Sequence, residues 1–136
     1  MAFEIIEHTA DLAVELTGKT MNELLESAVS AFVCLLTNPE SVHAELKKTF
    51  TISAHTPEGL LVGVVNELIY LFEVEEFIPH HAVVATDGKT ARCEVIGELI
   101  DTTRHTFDHY VKSATYGGLK VGFDENIYKA TLILDD

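Results

Sequence analysis

Three acidic side chains hold most of the chemical potential in this sequence: Asp11, in the corner His8-Thr9-Ala10-Asp11, and the closing pair Asp135 and Asp136. Carboxylate oxygens are the ligands that hard divalent cations prefer, so grouped together these residues would suit Mg²⁺, Ca²⁺ or Mn²⁺. Taken singly, each has a plainer explanation. An Asp in a turn ordinarily caps its own backbone, and an acidic terminus ordinarily serves solubility. Against the second explanation stands the apolar run that continues up to Asp135, which would pin that end against a sheet. The third candidate is Lys112, in Lys112-Ser-Ala-Thr-Tyr116 ahead of Gly117-Gly118. As a strand and turn the segment needs no function; as a cation beside two hydroxyls, Lys112 suits a phosphate or the carboxylates themselves.

Elements that could position these groups follow from periodicity. Phe3 to Glu7 reads as a strand, and Leu12, Val14 and Leu16 alternate in a second one closed by Gly18. Thr20 with Glu23 forms a capping box ahead of Met21, Leu24, Leu25, Ala28, Phe32, Leu35 and Leu36, an amphipathic helix ending near Asn38-Pro39. Leu46 to Ala54 is a half-buried strand with Phe50, Ile52 and Ala54 inward. Thr56 caps and Pro57 starts a second helix, apolar nearly all round from Leu60 to Phe72, which is therefore the central buried one. Asp87-Gly88 joins strands at 82–86 and 89–98 into a hairpin, Asp101 to Asp108 is a polar, His-bearing loop or irregular strand, and two last strands flank Asp124-Glu-Asn126. The expected fold is α+β: one domain over residues 1–136, with antiparallel or mixed sheets packed with two main helices.

Composition narrows the function. Twenty-two acidic against nine basic side chains give a net charge of −13, which disfavours direct nucleic-acid binding and suits cations or a basic protein partner. Cys34 and Cys93 sit in apolar patterns and are expected as buried free thiols. No stretch reads as a signal peptide or a membrane span, so a cytoplasmic setting is expected. The histidines outside the corner show no zinc-type spacing and are assigned to the surface or the core edge. No Walker loop, dinucleotide fingerprint or nucleophile elbow is present.

Taken jointly, four segments make the whole chain resemble the archease family: Phe3 to Asp11, the helix opening Gly18-Lys-Thr-Met-Asn-Glu-Leu-Leu-Glu26, Lys112-Ser-Ala-Thr-Tyr116, and the closing strand with Asp135. The resemblance implies a protein cofactor, not an enzyme, for an RtcB-type RNA ligase that joins tRNA halves with GTP and Mn²⁺. Its role would be to promote ligase guanylylation and multiple turnover in tRNA splicing and RNA repair. By motif, Asp11 matches the family's metal-binding aspartate, Asp135 its near-terminal aspartate with Asp136 beside it, and Lys112 the lysine of Lys-x-x-Thr-Tyr; His8 belongs to the first motif. Gly117 stands where family members usually carry His, and Asp136 where an uncharged residue is usual. From the residues alone, two alternatives remain: a metal-dependent hydrolase or phosphotransferase, for which no nucleophile or base stands out, and a chaperone-like binding module with structural carboxylates.

Overall fold

Alternation of apolar and polar residues builds the first hairpin, β1 (Ala2–Glu7) and β2 (Asp11–Gly18), in which Phe3 and Ile5 oppose Leu16 and Val14 on the inward face. The structure is a computed structural model and describes residues 2–7, 11–114 and 119–135, with Glu7 and Asp11 described by their backbone alone. Helix α1 (Met21–Leu36) starts as the capping pattern requires: the Thr20 hydroxyl accepts from the Glu23 N–H at 3.1 Å. The Glu23 carboxylate reaches back one residue further than a capping box would, to the Lys19 N–H.

A single 3-10 turn at Pro39–Ser41 leads to β3 (Leu46–Ser53), followed by α2 (Pro57–Glu75), whose Thr56 cap accepts from the Gly59 N–H at 3.0 Å. Strands β4 (Phe77–Thr86) and β5 (Thr90–Leu99) form the next hairpin, with Gly88 at φ 96° in the turn between them. After an irregular segment come β6 (Ser113–Ala114), β7 (Val121–Asp124) and β8 (Ile127–Asp135). The Glu125-Asn126 connection has both residues left-handed, as a two-residue hairpin loop demands.

All strand pairs are antiparallel and fall into two sheets. The first runs β1-β2-β8-β6, with β7 also on β8; the second runs β3-β5-β4. Helix α1 packs on β1, β2 and β8 and also on β4, while α2 meets β6 of the first sheet and all three strands of the second. The helices therefore lie between the sheets, which explains why the first half of α2, Gly59 to Val65, is apolar all round; its second half shows water a stripe of Asn66, Tyr70, Glu73 and Val74. Leu60, Leu61, Val64 and Leu68 are fully buried, each worth about 1.5–3 kcal/mol relative to exposure.

Two features depart from the sequence reading. Strand β4 begins five residues earlier than the alternation at Ala82 suggests, because Pro79-His80-His81 look like a break. The ladder absorbs them as a register shift between Pro79 and His81. Cys93 is buried as expected, but Cys34 is only partly so.

Candidate functional site

The pairing of β2 with β8 decides where the acidic residues go. Leu12, Val14 and Leu16 oppose Leu134, Leu132 and Ala130, and all six are buried. Sliding either strand by one residue would turn its apolar set away from the helices, so burial specifies the register strongly. That register sets residue 11, the first of β2, directly opposite Asp135, the last of β8. Two acidic positions from the two ends of the sequence thus meet at one end of one sheet.

On the other side of β8, Ser113 opposes Asp135, and the Lys112 N–H donates to the Asp135 carbonyl at 2.8 Å. Ala114 anchors this segment: its side chain is buried, and its N–H donates to Asn66 Oδ1 of α2 at 3.0 Å. Asp135 and Lys112 are exposed. The structure therefore brings together the backbone positions of Asp11, Lys112 and Asp135. His8, Gly117 and Asp136 lie outside the described residues. Asp135 offers a wet, hard oxygen donor, and the donor types expected at this end are those a divalent cation takes while keeping some of its water.

A second polar constellation was not read from the sequence. Glu98, at the end of β5, is 5% exposed and accepts from Arg104 Nη1 and Nη2 at 2.9 and 2.5 Å, and from the His43 N–H. The His105 ring is also buried; its Nδ1 accepts from the Asp101 N–H at 2.9 Å, which leaves the proton on Nε2 facing Glu98 Oε2 at 3.1 Å. The Arg104 hydrogen bonds, helped by those from His43 and His105, hold the Glu98 carboxyl down to about 2 against the opposing effect of burial. The expectation that the histidines sit at the surface or core edge thus fails for His105. The signal available for it was slight: an Arg-His pair in a polar loop.

Possible ligand atoms of His43, Glu45 and Glu98 lie within 4.8 Å of one another. A cation there would have to displace Arg104 from a carboxylate it already neutralises. The knot is accordingly structural: it ties the segment after β5 to the α1–β3 connection, where Arg104 Nη1 also donates to the Ser41 carbonyl at 2.6 Å.

Comparison with known proteins is consistent with this architecture. The model of the archease protein family (MTH1598/TM1083) matches residues 3–135, nearly the full sequence. The chain belongs to the archease family. Protein archease of Methanosarcina barkeri is 27% identical over 98% of this chain and 94% of its own length. The archease-like protein of Dictyostelium discoideum is 26% identical over 96% and 89%. In fold, this archease-family chain resembles the solution structure of Methanobacterium thermoautotrophicum protein 1598, with a TM-score of 0.81 at 23% identity and 98% of each chain covered. It also resembles a Thermotoga maritima crystal structure described as an archease and possible chaperone, with a TM-score of 0.65 at 23% identity, covering 96% of this chain and 94% of that one.

Proposed function

We propose that this chain is a non-catalytic accessory factor of an RtcB-type RNA ligase in a cytoplasmic setting, promoting ligase guanylylation and multiple turnover in tRNA splicing and RNA repair. The observation that carries this reading is the β2–β8 register, which opposes residue 11 to Asp135 with Lys112 hydrogen-bonded alongside. Asp11, Asp135 and Asp136 would hold a divalent cation, Ca²⁺, Mn²⁺ or Mg²⁺. That ion would supply positive charge able to polarise phosphate oxygens of a nucleotide in the partner.

The chain's own residues do the rest. The buried pairs Leu12–Leu134 and Val14–Leu132 hold the two strand ends in register, so the backbone positions of residue 11 and Asp135 are already side by side when a cation arrives. Lys112, on the neighbouring segment, offsets part of the local negative charge and can meet a phosphate. The overall charge of −13 draws the protein toward a basic partner and away from RNA itself.

A turnover assay with the matched ligase present in substoichiometric amount tests the reading. The wild type is expected to raise the number of turnovers, and Asp11→Ala, Asp135→Ala and Lys112→Ala to lose most of that effect while staying folded. No stimulation by the wild type would overturn the accessory role. Stimulation retained in all three variants would overturn the site.

A further inference from the structure

In a regular β-strand neighbouring side chains leave opposite faces, so His80 and His81 ought to part. The irregularity in β4 prevents this. Pro79 pairs with Gly97 and His81 with Ile96, which leaves His80 as an extra residue with no ladder partner of its own. Both imidazoles thereby come to the same side, with Nδ1 of His80 2.8 Å from Nδ1 of His81 and the ring centroids 5.1 Å apart. The bulge is built into the fold, because it lies against β5 where that strand carries Gly97: a Cβ there would stand 1.9 Å from the Ile78 carbonyl oxygen.

The pair stands on the outer face of the second sheet. His81 opposes Ile96, which in turn opposes Lys47 of β3, while Cys93 and Val95 of β5 turn to the core. His80 is exposed and His81 partly exposed. Across this face the row of His81 ends in Lys47, and the next row carries Glu94; these two pair with each other at 3.7 Å. The lysine charge is thus offset by a carboxylate where a cation would approach the histidines.

We propose that His80 and His81 form a two-nitrogen chelate for a borderline transition cation, Cu²⁺ or Ni²⁺, separate from the carboxylate set at the end of the first sheet. Metal–imidazole bonds of about 2.0–2.1 Å at right angles set the two nitrogens about 2.8–3.0 Å apart, and the separation here is 2.8 Å. A tetrahedral ion would need them about 3.3 Å apart, so the spacing favours the square or octahedral geometry of these two ions over Zn²⁺. Without metal, one ring donates its Nδ1–H to the other. When the ion binds, that proton passes through solvent to Nε2 of the same ring. Each ring turns about its Cβ–Cγ bond to aim Nδ1 at the ion, and water completes the coordination. Neutral imidazoles offer Ca²⁺ and Mg²⁺ no oxygen, so the two sites select different classes of metal.

Calorimetric titration of the full chain with Ni²⁺, and electron paramagnetic resonance with Cu²⁺, test the site. His80→Ala and His81→Ala are each expected to weaken Ni²⁺ binding at least about tenfold, because a single imidazole loses the effective concentration of a tethered second donor. His43→Ala and Asp135→Asn, which remove donors of the other two clusters, are expected to change it less than about twofold by the same reasoning. The Cu²⁺ spectrum is expected to show nitrogen couplings from two imidazoles in the wild type and from one in either histidine variant. His80 has no ladder partner, so should His81→Ala disturb the sheet, His80→Ala decides the matter alone. Histidine variants that bind Ni²⁺ as tightly as the wild type, or a loss as large from His43→Ala, overturn the proposal and leave only adventitious binding by scattered histidines. No ligase enters these measurements, so the chelate stands or falls apart from the accessory role.

Discussion

Replacing Asp135 by Asn deletes one carboxylate from the paired position while keeping its size, its strand hydrogen bonds and its exposure. Directly opposed residues in an antiparallel pair have Cβ atoms about 5 Å apart, and two unit charges at that distance repel by about 0.8 kcal/mol in a water-like dielectric. Screening at physiological salt leaves about half of that. Without a divalent cation, Asp135→Asn is therefore expected to match the wild type or exceed it by up to about 0.5 kcal/mol in urea unfolding. Cation reverses the order. A ligand at one hundred times its dissociation constant stabilises the folded state by about 2.7 kcal/mol, a gain the wild type should show with Ca²⁺ or Mn²⁺ and the variant should largely lose. The readout is the urea midpoint across a cation titration, followed by tyrosine fluorescence or circular dichroism. A wild-type midpoint indifferent to millimolar cation, or an equal gain in the variant, refutes the reasoning. So does a variant clearly less stable than the wild type before any cation is added, since the pairing would then be attractive.

The Glu98 knot makes a pH prediction of definite sign. Its carboxyl is held near 2 in the folded protein against an ordinary 4.5, so its stabilisation is present above pH 4.5 and is lost as pH falls toward 2. The shift sets a ceiling of about 3 kcal/mol, reduced to about 1–2 kcal/mol by solvent around the partly exposed Arg104; Glu98→Gln should flatten the urea midpoint across that window, and a profile parallel to the wild type would refute it. A Cβ at Gly97 would lie 1.9 Å from the Ile78 carbonyl oxygen and 2.8 Å from the Pro79 Cα, both backbone atoms of the bulge. Gly97→Ala is expected to cost about 1–3 kcal/mol, seen as a lowered melting temperature, and unchanged melting would show that the bulge can move aside freely.

Much of the fold was legible because it is written in local patterns. The Thr20 and Thr56 caps, the inward set Phe50, Ile52 and Ala54, and the Asp87-Gly88 hairpin each follow from residues within a few positions of one another. The start of β4 was not legible, since Pro79 to His81 break the alternation and only the pairing with β5, made possible by the small Gly97, accommodates them. Nor was the burial of His105, which depends on Glu98 and His43 arriving from separate elements.

The candidate site divides in the same way. Sequence alone determined that Leu12, Val14 and Leu16 must turn to a core, that an apolar strand runs up to Asp135, and that Asp11 and Asp135 stand at the ends of their strands. It could not determine that β8 would choose β2 as its neighbour, because alternation specifies which face of a strand is buried and says nothing about which strand lies beside it. That choice belongs to the tertiary structure: closing the first sheet across α1 buries both apolar sets at once, and the register this burial imposes brings residue 11 and Asp135 together.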